Sequence, residues 1–172
     1  MNPIKAKRKW FLVGAVTVAV VLLVNFAPKF VYLNTTRSLP LGLYLAIPGR
    51  NLRVGDIVVY EPPENVQQLV RERSYGGASA GRLTFLKHVG ALPGDVYEVA
   101  DGAVRVNGET KGSIKEVDNE GNPMPVMTGL HVVREGEFLP LGEVPNSLDG
   151  RYTGTVPVDN IITRVVPVLT EW

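Results

Sequence analysis

The chain has 172 residues, of which 45% are hydrophobic and 20% charged, and these values exclude a disordered protein. It contains no cysteine, which excludes disulfides, cysteine-based zinc sites and thiol nucleophiles, and two histidines leave little room for a metal site. Four basic residues lie among residues 1–9, so the other 14 basic and 17 acidic side chains leave residues 10–172 at a charge of about −3. We therefore predict no metal, no cofactor and no nucleic-acid partner.

An uncharged segment of 19 residues, 10–28, follows this basic tip. Its apolar part, 11–27, would span about 25 Å as a helix at ~1.5 Å per residue, which is at the short end for a bilayer core. Because the basic residues precede the segment, the tip of residues 1–9 is expected in the cytoplasm and residues 29–172 on the other side. We predict a transmembrane signal-anchor over 10–28.

The alternative for this segment is a cleavable signal peptide. Asn25 and Ala27 would then occupy the positions −3 and −1 relative to the cut. Asparagine is a poor residue at −3, and Pro28 would directly follow the cut, where signal peptidases disfavour proline. A retained anchor is therefore the preferred interpretation.

Short apolar runs separated by turn residues predict a mostly antiparallel β domain after the anchor. In chain order the predicted strands are 43–47, 56–60, 83–91, 97–99, 103–106, 131–134, 136–141 and 161–168. One soluble helix is predicted over 65–73, and Asp101-Gly102 predicts a tight hairpin turn. Residues near 107–129 are polar and rich in Gly, Asn and Pro, so we expect a poorly packed excursion there.

Residues 77–81 match the G-x-S-x-G pattern of a nucleophile elbow, with Ser79 at its centre. The motif needs a buried strand before it and a helix after it. Here a polar helix is predicted before it, and a strand that begins with Arg82 after it. We interpret 75–81 as a flexible loop and expect no Ser-His-Asp triad with either histidine.

Two other segments carry candidate chemistry. Ser38 lies in the segment 34–44 just beyond the anchor, which on its own could be a tether loop. Lys87 lies within the apolar run 85–89, and on its own could be an outward-facing lysine on an edge strand. Together they suggest a serine nucleophile with a lysine base, because burial among apolar side chains can lower a lysine pKa from about 10.4 to about 7–8.

Four sequence blocks carry a family resemblance. In order they are T-x-S-x-P-x-G-L-Y at 36–44, R-V-G-D-I-V-V at 53–59, K-x-x-x-A-L-P-G-D at 87–95 and N-S-L-D-G-R-Y-x-G-x-V-P at 146–157. With them, residues 32–168 resemble the signal peptidase I-like Ser/Lys endopeptidases, specifically the conjugative-transfer TraF branch. The P-x-G-L-Y ending of the first block favours this branch over general signal peptidases.

The resemblance implies a role for each residue of the first and third blocks that could do chemistry. Ser38 would be the nucleophile and Lys87 its general base. The backbone N–H of Ser38 and the hydroxyl of Thr36 would form the oxyanion hole.

The resemblance also implies supporting roles in the fourth block. Ser147 would hydrogen-bond the lysine and orient it, and Asp149 would pair with Arg151. A purely structural salt bridge and a direct catalytic role for Asp149 stay open. Two departures from the family pattern occur. The G-D-N that usually opens the fourth block is G-E-V here, at residues 142–144, and Gly150 replaces the usual serine.

The resemblance implies a mainly β protein with a signal peptidase I-like antiparallel catalytic domain and one N-terminal transmembrane helix. We expect it in the bacterial inner membrane with the catalytic domain in the periplasm. It would be a membrane-anchored serine endopeptidase that processes a pilin precursor for conjugative plasmid transfer through an acyl-enzyme, with cyclisation of the pilin in some members. The expected partners are the pilin precursor or another preprotein, the lipid bilayer and conjugative type IV secretion components.

Two alternative functions stay open at this point. One is a general type I signal peptidase that releases secretory signal peptides. The other is a non-catalytic, membrane-anchored scaffold of a secretion or pilus system.

Overall fold

A computed structural model of the protein describes residues 14, 16–17, 30–49, 51–75 and 83–171. The predicted cytoplasmic tip, 1–9, lies outside the described residues, as does the predicted anchor, 10–28, except for Gly14, Val16 and Thr17. Within the described part of the chain, no helix is long and apolar enough to cross a membrane. The elbow-like pattern around Ser79 lies outside the described residues as well.

The described residues form a mainly β protein with eleven strands, which confirms the mainly β, antiparallel part of the predicted fold class. The strands are β1 (Val31–Asn34), β2 (Leu41–Ile47), β3 (Ile57–Tyr60), β4 (Phe85–Ala91), β5 (Val96–Ala100), β6 (Ala103–Val106), β7 (Glu109–Ser113), β8 (Gly129–Val132), β9 (Glu137–Leu141), β10 (Val156–Pro157) and β11 (Ile161–Glu171). Seven of them form one sheet in the order β1-β2-β11-β3-β4-β9-β10, and four form a second sheet in the order β7-β6-β5-β8. Neighbouring strands are antiparallel throughout both sheets.

The predicted soluble helix is α1 (Glu64–Glu72), which begins and ends one residue earlier than the sequence pattern suggested. It buries Val66 and Val70, which lie four residues apart and therefore on one helix face. A second helix, α2 (Gly150–Thr153), has only four residues, too few for a helical period to be visible in the sequence. The carboxylate of Asp149 caps it by accepting the backbone N–H of Arg151.

The two sheets meet along a shared hydrophobic core. Its largest cluster joins β5 and β6 of the small sheet to β4 and β9 of the large one. The hairpin between β5 and β6 turns at Asp101 and Gly102, with φ of 50° and 72°. These positive values are those of a type I′ turn, so the predicted hairpin is confirmed.

The excursion predicted at 107–129 is more ordered than expected. It contains the strand β7, which pairs with β6, and a turn around Asp118. The Asp118 carboxylate accepts the backbone N–H of Glu120 at 2.9 Å and of Asn122 at 2.8 Å. Hydrogen bonds organise this segment more than apolar side chains do, which is why its polar sequence suggested poor packing.

The close approach of two strands explains why the P-x-G-L-Y ending has a glycine at position 42. Gly42 adopts φ +138°, and a Cβ there would collide with the backbone carbonyl of Leu169 on the adjacent strand β11. Only glycine lets the two strands come this close at this point. The first block therefore continues directly into an inner strand of the large sheet.

Candidate active site

Lys87 lies on an inner strand and faces the interior. β3 pairs with one side of β4 and β9 with the other, and along β4 the alternate residues Lys87, Val89 and Ala91 are buried. Only 5% of Lys87 is exposed, and its backbone partner across the sheet is the fully buried Val58. The alternative of a solvated lysine on an edge strand does not describe this protein.

Burial also changes the acidity of the Lys87 ammonium. It lowers the pKa from 10.5 to about 8, because the charged form loses its hydration inside the protein. The negative charge of Asp149 acts in the opposite direction and raises this pKa, while the positive charge of Arg151 lowers it. The ammonium nitrogen lies 5.4 Å from the centre of the Phe85 ring, which confirms Phe85 as one of its apolar neighbours.

Ser38 lies in the loop between β1 and β2, and a buried asparagine holds that loop. The amide nitrogen of Asn34 donates to the carbonyl oxygens of Leu39 and Pro40, each at 3.0 Å. Its amide oxygen accepts the backbone N–H of Thr36 at 3.2 Å and the Thr36 hydroxyl at 3.1 Å. All four hydrogen-bonding positions of this side chain are used, so it fixes both ends of the loop around Ser38.

The hydroxyl oxygens of the two residues expected to act on the substrate carbonyl are neighbours. Thr36 Oγ1 lies 3.4 Å from Ser38 Oγ. Ser38 is 8% exposed, so its hydroxyl is accessible only at the bottom of a depression. The spacing of two residues in T-x-S thus places both hydroxyls together.

The fourth block contacts the Ser38 loop through its opening residues. The backbone N–H of Glu143 donates to the carbonyl oxygen of Ser38 at 2.9 Å. A Cβ at Gly142 would collide with Ser147 Oγ and would lie 3.0 Å from the same Ser38 oxygen. Glycine at 142 is therefore what leaves room for Ser147 beside this loop.

Ser147 is itself 3% exposed. Its hydroxyl oxygen is buried and has no hydrogen-bond partner among the residues that the structure describes. A buried hydroxyl of this kind retains a donor and two acceptor positions for a group that approaches it.

Asp149 and Arg151 form a buried ion pair behind this surface, with exposures of 0% and 1%. Asp149 Oδ2 accepts from Arg151 Nη2 at 2.6 Å and from the backbone N–H of Gly142 at 2.7 Å. Arg151 Nη2 also donates to the carbonyl oxygens of Gly142 and Val144, each at 2.9 Å. These bonds hold the opening of the fourth block in place, and they favour a structural role for the pair.

A groove of about 840 Å³ brings the predicted residues together. Thr36, Ser38, Lys87 and Ser147 line it, whereas Asp149 and Arg151 do not. The groove is also lined by the turn after α1, with Arg73, Ser74 and Tyr75, and by the excursion, with Lys115, Val117, Asp118, Asn119, Glu120 and Met124.

Sequence reasoning missed two residues at this site. Asn34 organises the Ser38 loop, and the backbone N–H of Glu143 binds the carbonyl oxygen of Ser38. His88, which follows Lys87 on β4, does not line the groove; it lies 2.9 Å from Glu143 Oε1 through Nε2 and 3.1 Å from the carbonyl oxygen of Gly55 through Nδ1. The position of Asn34, two residues before Thr36, was the one available signal, and it did not distinguish a loop-holding amide from an ordinary polar residue.

The chain is similar in sequence to several known proteins. Residues 6–170 match the family described as signal peptidase, peptidase S26. The chain is 35% identical over 145 residues to a plasmid transfer protein TraF of Escherichia coli, covering 80% of this chain and 81% of that protein. It is also 35% identical over 115 residues to a signal peptidase I of Leptolyngbya laminosa, covering 66% of this chain and 51% of that protein.

Among solved structures, a signal peptidase I from Enterococcus faecalis is similar to this chain with a TM-score of 0.42. The two are 20% identical, and the match covers 67% of this chain and 97% of that one.

Proposed function

The chain belongs to the signal peptidase family, peptidase S26, and from that premise we propose that it is a serine endopeptidase with Ser38 as nucleophile and Lys87 as general base. The observation that carries the proposal is the burial of Lys87 in a groove that Ser38 also lines. A pKa of about 8 makes a neutral amine accessible near physiological pH, and a neutral amine is what a base requires. A non-catalytic scaffold would give no reason to bury a lysine.

In the proposed reaction, neutral Lys87 takes the proton from the Ser38 hydroxyl while the serine oxygen attacks the scissile carbonyl. The backbone N–H of Ser38 and the hydroxyl of Thr36 donate to the oxyanion of the tetrahedral intermediate. The lysine then returns the proton to the leaving amine, and an acyl-enzyme remains on Ser38. Water releases the product by hydrolysis, or the free amine of the same substrate chain attacks the ester and cyclises it.

Ser147 and the buried ion pair have supporting roles in this proposal. The hydroxyl of Ser147, which has no hydrogen-bond partner within the described part of the chain, is available to bind and orient the Lys87 amine within the groove. Asp149 and Arg151 hold residues 142–144, and through Glu143 they hold the carbonyl of Ser38.

We propose a pilin precursor of a conjugative transfer system as the substrate. The similarity to plasmid transfer protein TraF extends over four fifths of both chains, whereas the match to signal peptidase I covers about half of that relative. A type IV secretion apparatus would then be the partner that receives the processed pilin. A general signal peptidase would instead cleave many secretory precursors, and an assay with both substrate types separates the two.

The membrane part of the proposal rests on the sequence. The basic tip and the uncharged segment 10–28 suit a single-pass anchor in the inner membrane, with residues 29–172 in the periplasm. A reporter enzyme that works only outside the cytoplasm, fused after Trp172, should be active. Activity of a cytoplasm-only reporter at that position, or a mature N-terminus at Pro28, would contradict the anchor.

The central test is a processing assay on a purified pilin precursor with the wild type, Ser38→Ala and Ser79→Ala. Ser38→Ala should lose several orders of magnitude in rate because no acyl-enzyme can form. Ser79→Ala is the control and should retain wild-type activity. Thermal unfolding of both variants checks that they are folded, and a reversed pattern of activities would assign the nucleophile to Ser79 instead.

A further inference from the structure

We propose that Arg73, Tyr75 and Asp118 form a latch that fixes one wall of the groove, which we call the far wall, and that this wall binds substrate residues distant from the scissile bond. The inference rests on the proposed function and adds a specificity element to it. The latch joins the end of α1 to the excursion at 107–129, two segments far apart in the chain.

The contacts of the latch are short and continuous. The Tyr75 hydroxyl donates to Asp118 Oδ2 at 2.6 Å, and Arg73 Nη1 donates to the Tyr75 oxygen at 3.1 Å. Arg73 Nη1 also donates to the carbonyl oxygen of Pro123 at 3.0 Å and lies 3.6 Å from the Asp118 carboxylate. The tyrosine hydroxyl is the centre of the arrangement because it donates to one partner and accepts from the other.

The excursion side of the latch is preorganised. Asp118 accepts hydrogen bonds from Tyr75, from the backbone of Glu120 and from both backbone and side chain of Asn122. The bonds from Tyr75 and Asn122 hold the pKa of this carboxyl well below its usual range. The acceptor is therefore charged at every pH at which Lys87 could act as a base.

The latch residues lie outside the four sequence blocks that carry the family resemblance, yet they line the same groove as Ser38 and Lys87. A volume of about 840 Å³ lies in the upper part of the range for binding clefts and suits several residues of an extended peptide. Other lining residues, in the first, third and fourth blocks, are those proposed for the chemistry. The far wall can therefore differ without changing that chemistry, which is the property of a specificity wall.

The chemistry of the wall indicates what it accepts. The charges of Arg73 and Asp118 neutralise each other, and Lys115 and Glu120 are a further pair of opposite charges on the same side. Val117, which is 49% exposed, contributes apolar surface to the same lining, and the mostly buried Met124 adds to it. A balanced, partly apolar wall favours an uncharged, apolar side chain of the substrate over an acidic or a basic one.

The test compares two peptides from the sequence of a pilin precursor, both centred on the predicted junction between its signal peptide and its mature part. One has about twelve residues and is roughly 40 Å long when extended, and the other has about five residues and is roughly 16 Å long. The long peptide can reach the far wall, whereas the short one contacts only the neighbourhood of Ser38. The full-length protein in detergent is used for all measurements.

Tyr75→Phe removes the hydroxyl and leaves the ring. We expect KM for the long peptide to rise about fivefold, with kcat within about twofold of the wild type and no change for the short peptide. Arg71→Gln is the matched control, because it breaks the exposed ion pair with Glu64 at 2.7 Å on the same helix and lies outside the groove lining. It should leave both peptides unaffected. Asp118→Asn is the second latch variant and should act in the same direction as Tyr75→Phe.

Two results for Tyr75→Phe would overturn the proposal: an equal loss of kcat/KM for both peptides, or an unchanged KM for the long one. The contacts of Tyr75 would then contribute to stability only. Binding of the two fluorescein-labelled peptides to Ser38→Ala protein, measured by fluorescence anisotropy, separates this result from a failure of the proposed function. If the wild type cleaves neither peptide, the proposed function fails while binding still reports on the latch. In the Ser38→Ala protein the long peptide should bind more tightly than the short one, and adding Tyr75→Phe should remove this difference. Equal binding of the long peptide with and without the Tyr75 hydroxyl contradicts the latch.

Discussion

The Thr36 hydroxyl lies 3.4 Å from the Ser38 hydroxyl and donates its single hydrogen to Asn34 Oδ1 at 3.1 Å. Because that hydrogen is used, the hydrogen in the contact between the two hydroxyls comes from Ser38. Thr36 must turn away from Asn34 before it can donate to an oxyanion. In this resting arrangement, the Thr36 hydroxyl that we propose as an oxyanion donor is hydrogen-bonded to Asn34.

Thr36→Val should keep the shape of the loop and remove the donor. We expect kcat to fall by about 10² to 10³, as for the loss of one oxyanion-hole donor, with a smaller change in KM. Thr36→Ser restores the hydroxyl and should recover most of the activity. A fully active Thr36→Val protein in the processing assay would remove Thr36 from the oxyanion hole.

Asn34→Asp should damage the site through the same loop. The substitution is close in size but replaces a donor group that binds the Leu39 and Pro40 carbonyls by a carboxylate that only accepts. With the two carbonyls facing a buried negative charge, the free energy of unfolding should fall by about 2 kcal/mol or more. Chemical denaturation measures this loss, and Thr35→Ala in the same loop provides a comparison, since Thr35 is exposed.

Lys87→Arg should be inactive although it keeps a positive charge. A guanidinium does not lose its proton in a protein and cannot serve as the base. In the wild type, kcat/KM should rise with pH through about 8, because the neutral form of Lys87 is the competent one and it predominates above its pKa. The pH–rate profile of the purified enzyme measures this limb, and full activity of Lys87→Arg would eliminate the Ser/Lys dyad.

Lys87→Met should make the protein more stable at neutral pH. The folded-state pKa of about 8 lies below the ordinary value of 10.5, so the unfolded chain binds more protons between these values and stability rises with pH across them. Below pH 8 the buried charge therefore destabilises the fold by about 3 kcal/mol. The gain on Lys87→Met should be near this size at pH 7 and vanish above about pH 10.5, as measured by urea unfolding at both pH values. A loss of stability at pH 7 would mean that the ammonium is well solvated.

Asp149→Asn should reduce stability and activity together. The change leaves the guanidinium of Arg151, which is 1% exposed, without its charged partner, and breaking a buried pair in this way costs about 3–5 kcal/mol. Because Asp149 raises the pKa of Lys87, the activity that remains should show its pH limb at a lower pH than in the wild type. Glu98→Gln is the control, since it removes one partner of an exposed pair with Arg105 and should change stability by less than about 1 kcal/mol. Loss of activity at full stability would instead support a direct catalytic role for Asp149.

The elements that the sequence predicted best are those whose signal is local. Asp101-Gly102 needs positive φ at both positions, and the structure has the turn there. α1 lies within one residue of the predicted range, because its apolar spacing is visible within nine residues. β1, β7 and β10 were missed. β10 has only two residues, and β7 is mostly exposed and polar and exists because β6 supplies its partner.

The T-x-S spacing by itself determined that Thr36 and Ser38 lie within about 7 Å of each other along the backbone. The 3.4 Å contact between their hydroxyls depends on the folded loop that Asn34 holds. Whether Lys87 was buried depended on strands that lie far away in the chain. An alternating pattern tells which residues share a face, but only the pairing of β4 with β3 and β9 makes that face internal. Asn34 bonds only within its own loop, to Thr36, Leu39 and Pro40, yet nothing in the local pattern marked it as the residue that holds this loop. The backbone N–H of Glu143 reaches the Ser38 carbonyl only when two segments about 100 residues apart meet, and hydrogen bonds of this kind are decided by the tertiary structure alone.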